Sequence, residues 1–168
     1  SLLDGLGRIN DLTNEAQRLG FDSLAITDHG ALYGAVAFYQ ACTTKGIKPI
    51  VGVETYVARG RMTEREGGKD SQISHLVLLA KDWTGYQNLC RLITDAHVDG
   101  YYYKPRIDKE HLAKYSQGLI GLSGCLSGEI ATPLRNGQEQ AALKSVGEFS
   151  EIFGPDRFCI ELQDHGMP

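Results

Sequence analysis

Cysteine is scarce and scattered. Cys42, Cys90, Cys125 and Cys159 form no CxxC pair, which excludes a zinc ribbon and a thioredoxin-type motif. Dispersed thiols in a chain of 168 residues read as reduced and cytoplasmic rather than as a disulfide framework. No apolar run approaches the roughly 20 residues that span a bilayer, so no membrane partner is expected. There is no basic block either. Seventeen Lys and Arg face 21 Asp and Glu for a net charge of -4, so the chain as a whole lacks the electrostatic footprint of a nucleic-acid binder. Internal repeats and low-complexity segments are also missing. What remains, 42% hydrophobic and 23% charged, is ordinary globular composition and fits one domain or part of a larger one. The chain starts on Ser1 and ends on Pro168, and both ends read as cut from a longer protein.

Periodicity organises the first third. Ile9, Leu12, Ala16 and Leu19 fall on one helical face closed by Gly20, which predicts an opening helix. Ser23 to Asp28 is a short, mostly apolar run that leads into Asp28-His29-Gly30 and reads as a strand delivering polar groups to a rim. Leu32, Ala35, Val36, Tyr39 and Cys42 form a second helical stripe, and Lys48 to Val57 is a β-branched strand. Helix, strand, helix and strand with short connections favour a parallel sheet with right-handed crossovers. Residues 58–72 are polar and read as a mobile loop. A strand over Ile73 to Lys81 and a helix over Trp83 to His97 follow, with Tyr86, Leu89, Cys90 and Ile93 inward. Asp108 is placed to cap a short helix carrying Leu112 and Tyr115. A strand at 118–122, helices near 127–135 and 138–152 with Ala142, Val146 and Phe149 inward, and a last strand at 157–163 complete the chain. This alternation predicts an α/β barrel or a doubly wound sheet, with the active site at the carboxyl ends of strands.

The candidate ligands are Asp4, His29, Glu54, His75 and Cys125, with Asp28 and His165 in reserve. Asp4 to His29 and His29 to Glu54 are both 25 residues, so successive βα units can each send one ligand to a shared rim. Mixed imidazole, carboxylate and thiolate suits zinc, manganese or iron. Such metals activate water and clamp a phosphate. Each residue also has a bland reading. Asp4 can be a turn residue, His75 a strand histidine and Cys125 an inert thiol. Glu54 resists this reading, because an unpaired carboxylate in an apolar strand is costly. Asp28 and His29 point to opposite sides if the strand continues through them, and to one pocket if it has ended. His75 sits near the start of its strand, which suits a rim ligand only if that strand runs antiparallel. His97 and His111 read as structural or solvent-facing. Lys104 and Arg106 beside Tyr101, Tyr102 and Tyr103 read either as a loop that grips a phosphate or stacks a base, or as a packed loop with core tyrosines.

Taken together, Leu2-Leu3-Asp4-Gly5, Thr27-Asp28-His29-Gly30, Gly52-Val53-Glu54, His75-Leu76-Val77-Leu78-Leu79, Tyr103-Lys104-Pro105-Arg106-Ile107-Asp108 and Ser123-Gly124-Cys125-Leu126-Ser127-Gly128-Glu129 resemble the polymerase and histidinol phosphatase (PHP) domain. The form is similar to the one at the amino end of bacterial DNA polymerase III alpha subunits, over essentially the whole chain. The resemblance implies a distorted seven-stranded α/β barrel, TIM-like, with up to three divalent metal ions in its mouth. Asp4, His29, Glu54, His75 and Cys125 match family metal ligands. The family's opening His-x-His and closing Asp-x-His would lie outside residues 1–168, so the barrel is incomplete here, and His165 does not match. The implied activity is metal-dependent phosphodiester hydrolysis, as a 3′–5′ exonuclease. Nucleotidyl transfer would belong to a downstream polymerase domain, and DNA and other replicase subunits would be the partners. The alternatives are a free-standing phosphoesterase on a small phosphate ester and a silent scaffold.

Overall fold

The structure, a computed structural model, describes residues 5, 7–65, 73–164 and 166. Asp4 and His165 lie outside the described residues, as do 66–72 of the expected mobile loop.

Helix α1 (Ile9–Arg18) leads to strand β1 (Ser23–His29), helix α2 (Ala35–Thr44) and strand β2 (Lys48–Ala58). β1 and β2 pair in parallel, from Ser23 opposite Lys48 to His29 opposite Glu54. The helical stripes are rotated from those expected. Thr13 and Ala16 are buried in α1, whereas Leu12 and Leu19 are exposed. In α2 the inward set is Ala35, Phe38 and Cys42, whereas Val36 and Tyr39 are exposed. The reason is that these helices serve a small cluster of Ala16, Phe38, Cys42 and Ile47, joined by Ile9, Leu24 and Ile26. α1 packs on α2, and α2 lies chiefly on β2, so the faces that close this cluster are the ones buried. Burial in that cluster pushes the Cys42 thiol up, which leaves it protonated and inert.

Strand β3 (Ile73–Ala80) runs antiparallel to β2, with Tyr56 opposite His75 and Glu54 opposite Val77. Helix α3 (Trp83–Val98) follows, its first turn capped by the Asp82 carboxylate accepting from the Gly85 N–H at 2.9 Å. Leu89, Leu92 and Ala96 face the core, while Tyr86, Cys90 and Ile93 are only half-buried. Next come strand β4 (Arg106–Ile107), paired in parallel to Tyr56 and Val57, and helix α4 (Lys109–Lys114). Asp108 caps α4 as expected, accepting from the His111 N–H at 2.8 Å. Its second oxygen accepts from the Met62 N–H at 2.9 Å. Residues 61–65 are therefore tied down, where a mobile loop was expected. Strand β5 (Leu119–Leu122), helix α5 (Ala131–Arg135), helix α6 (Glu139–Phe153) and strand β6 (Phe158–Cys159) end the chain. The last strand is shorter than the predicted 157–163, and α5 shorter than 127–135.

The sheet order is β1-β2-β3-β5-β6, with β4 beside β2. β5 is antiparallel to β3 and parallel to β6. Strand alternation sorts the two faces. Val53, Val57, Leu76, Leu78 and Leu119 point to one side, where they form the main core with Leu89, Leu92, Leu112, Phe149 and Phe153. The intervening Glu54, Tyr56, His75 and Val77 share the other face. The described strands do not close into a barrel, which agrees with the incomplete barrel expected. No described helix is long and apolar enough to cross a membrane.

A half-buried ionic cluster ties α4 to α6. The Lys109 ammonium donates to Glu129 and Glu148, and Ser145 Oγ donates to Glu129 Oε1 at 2.8 Å. Burial works to lower the Lys109 pKa, but the two carboxylates outweigh it and the net shift is upward. The hydrogen bond from Lys109 holds Glu148 below its ordinary range. A lowered carboxylate pKa stabilises the fold above the unfolded value of about 4.3 and loses that contribution as pH falls through the folded value. A raised lysine pKa stabilises below about 10.4 and fades as pH rises through the folded value. Lys109→Met should therefore cost about 1–2 kcal/mol at neutral pH, between an exposed pair and a buried one. The loss should shrink below pH 4, as read by urea unfolding at both pH values.

Candidate metal centre

Four of the five sequence-nominated ligands come from three neighbouring strands and one turn. His29 is the last residue of β1, and register puts it beside Glu54. Because β3 is antiparallel, its amino-terminal end reaches the same rim as the carboxyl ends of β1 and β2. His75 therefore belongs there, which removes the apparent awkwardness of its position. The Glu54 carboxylate bridges two imidazoles: Oε1 lies 2.6 Å from His75 Nδ1 and Oε2 lies 3.0 Å from His29 Nδ1. Cys125 Sγ lies 3.4 Å from the same His75 Nδ1. One ligand atom each from Glu54, His75 and Cys125 falls within 4.8 Å of the others. The Glu54 and His75 side chains keep 16% and 24% exposure, so the group is open to a substrate.

Local sequence explains this geometry. Gly30 adopts φ +61, and a Cβ there would meet Pro105 Cγ at 2.8 Å and Tyr56 Cε2 at 3.0 Å. Only glycine fits both the left-handed backbone and the close approach. The turn is clamped from both sides, since the Gly30 N–H donates to the Glu54 carbonyl at 2.9 Å and His97 Nε2 lies 2.9 Å from the Gly30 carbonyl. At Cys125 the chain turns back through Gly124 at φ +75. The His75 N–H donates to the Ser127 carbonyl at 3.1 Å. This turn seats the thiol directly over the imidazole it meets.

The remaining nominated residues are placed elsewhere. β1 continues through His29, so Asp28 points to the opposite face, is buried, and accepts from the Gly34 N–H at 2.9 Å. It serves the entry to α2, not the ligand group. Arg106 is 6% exposed and donates to the carbonyls of Gly100, Met62 and Glu64 at 3.1, 2.8 and 2.6 Å. Burial lowers its pKa. Nε and Nη2 donate to backbone, so it staples two loops together, which fits the packed-loop alternative and not the phosphate grip. Lys104 reaches the ligand face only by way of Tyr56. Its ammonium lies 3.4 Å from the Tyr56 hydroxyl and 4.8 Å from the centre of that ring, and the Tyr56 ring meets the His75 ring edge-on at 5.3 Å. Tyr56 escaped the sequence reading because an aromatic in a β-branched strand looks like core. Its position two residues after Glu54, and so on the same face, is the signal that could have found it. His111 pairs with Asp95 at 2.9 Å, away from the group.

Carboxylate, imidazole and thiolate meeting around one atom make a donor set for a divalent cation, with softness suited to zinc and access for iron or manganese. The family described as PHP domain matches residues 1–165. A DNA polymerase III subunit alpha from Thermus aquaticus is 48% identical over all of this chain, and one from Treponema pallidum is 43% identical over 99% of it. The chain spans 14% of the length of each of these relatives. Among solved structures, a protein from Bifidobacterium adolescentis assigned as a metal-dependent phosphoesterase superposes with a TM-score of 0.51 at 14% identity. That match covers 98% of this chain and 75% of the other and concerns the fold.

Proposed function

The chain belongs to the PHP domain family, and from that premise we propose that it is the metal-dependent phosphodiesterase part of a bacterial replicative DNA polymerase alpha subunit. Its task is to remove nucleotides from a 3′ end in the cytoplasm, while nucleotidyl transfer is carried by other residues of the full-length polypeptide. Residues 1–168 form one PHP unit in this reading. The observation that carries the proposal is the meeting of Glu54, His75 and Cys125 within 4.8 Å, with His29 joined through the second oxygen of Glu54.

Glu54, His75 and Cys125 would hold one divalent ion, of zinc, manganese or iron. His29 and Asp4 would contribute to a second. An ion so held lowers the pKa of a water molecule and draws charge from a phosphoryl oxygen. The chain's own residues do the rest. Glu54 presents one oxygen to each imidazole and so draws both toward a shared cation. Lys104 offers an ammonium beside that set, where a non-bridging phosphate oxygen would lie. Gly30 and the Ser123–Gly128 turn hold His29 and Cys125 in place.

The test is release of mononucleotides from a 3′-labelled single strand by the full-length protein supplied with Mn²⁺ or Zn²⁺. Release that a chelator abolishes and metal restores is the expected result. A full-length protein that retains no metal and releases no nucleotide leaves the silent scaffold as the better reading.

A further inference from the structure

Tyr101 and Tyr103 belong to the loop whose Pro105 packs on Gly30, the residue after His29, and the proposed hydrolysis does not use them. Each ring keeps 52% exposure, yet neither hangs free. Tyr103 packs edge-on against Tyr102 at 4.6 Å, and the Arg106 guanidinium covers Tyr102 at 5.1 Å. Tyr101 lies against His97 at 6.3 Å. The loop is held from beneath, because buried Arg106 donates to Gly100 on one side and to Met62 and Glu64 on the other. Within the loop, the Tyr102 N–H donates to the Lys104 carbonyl at 3.1 Å. Tyr103 sits at φ +59, a conformation that non-glycine residues seldom adopt and that persists only where surrounding contacts enforce it.

Tyr101, Tyr103 and Lys104 are all exposed on this tight turn, and the Lys104 ammonium folds back to the Tyr56 hydroxyl at 3.4 Å. The loop that carries both tyrosines meets the ligand group at Tyr56 and Gly30. Lys104 touches Tyr56, which touches His75, and His97 bonds the carbonyl that follows His29. Single strands are held without sequence preference by bases stacked on aromatic faces and phosphates set on cations. Rings already held in place lose little freedom when a base arrives.

We propose that Tyr101 and Tyr103 are stacking platforms for the last bases of a single-stranded nucleic acid whose terminal phosphodiester passes Lys104 into the metal centre. The proposal rests on the hydrolytic reading above and deepens it by naming the side chains that would hold the bases next to the 3′ end. Arg106 is the positioning residue of this surface.

The test uses the full-length protein in EDTA with a single-stranded oligonucleotide carrying 5-iododeoxyuridine at its 3′ end. Irradiation and proteolysis should yield an adduct on the peptide that contains Tyr101 and Tyr103. Tyr101→Ala and Tyr103→Asn, the latter because asparagine tolerates a positive φ, should each remove most of that adduct. With metal restored, each should raise KM for 3′-nucleotide release by about 5- to 100-fold, as expected for losing one stacked base. Trp83→Ala is the control, because this exposed ring lies at the far end of β3 from His75. It should leave both adduct and KM unchanged. Adducts confined to other peptides, or an unchanged KM in both tyrosine variants, would overturn the proposal. Cleavage of bis(p-nitrophenyl) phosphate by the unaltered protein reports on the hydrolytic reading separately. A protein that fails this cleavage but still crosslinks through Tyr101 and Tyr103 loses its hydrolysis and keeps its platforms.

Discussion

Glu54→Gln should lower metal-dependent nucleotide release about a thousandfold or more and leave the fold intact. The size follows from the several kcal/mol of charge stabilisation that a metal centre supplies, at about 1.4 kcal/mol per tenfold in rate. The cause is local. Glu54 presents one oxygen to His75 and the other to His29, so it is the side chain that both imidazoles share. Glutamine has the same shape but only one acceptor. Its amide NH₂ must then face one of the two imidazoles, and the negative charge that would draw a cation is gone. Metal content of the purified full-length protein, measured by elemental analysis, should fall with the activity. Polymerisation by the same protein should persist, and unfolding should shift by no more than about 1 kcal/mol, the net worth of one hydrogen bond. Full nucleotide release by the variant would remove Glu54 from the centre.

Phe153→Ala should be the most damaging single truncation for stability, at about 3–5 kcal/mol. Phe153 is fully buried at the end of α6 and stacks on Phe158 of β6 at 6.0 Å. It also fills the space over Gly121 of β5, where a Cβ would lie 2.6 Å from the ring. The ring thus joins α6 to the two strands behind Cys125, and nothing nearby can collapse into its volume without moving β5. For a chain of this size the midpoint of thermal unfolding should fall by roughly 6–20 °C. Phe153→Leu should lose less, about 1–2 kcal/mol, because it keeps most of the buried surface. A melting point unchanged by Phe153→Ala would show that β5 and β6 are held by other contacts.

The ionic cluster at Lys109 shows why pattern reading reaches only so far. Lys109, Glu129, Ser145 and Glu148 lie on three separate stretches of the chain, and each alone looks like a solvated surface residue. The helix faces show the same limit. Leu12, Val36 and Tyr39 have the hydrophobicity and spacing of a core stripe, but the cluster shared by α1 and α2 closes over Ala16, Phe38 and Cys42 and leaves them exposed. Thr13 and Phe38 are buried instead.

From residue types and their order, the chain declared its alternating strands and helices, the cap at Asp108, and which side chains have the chemistry of metal ligands. The reason is that periodicity, capping and ligand chemistry are local properties. Tertiary structure alone decided that β3 turns antiparallel, that Asp28 faces away from Glu54 while Tyr56 shares its face, and that Arg106 is a staple. Those outcomes depend on which strand lies beside which, and pairing joins residues that no local pattern connects.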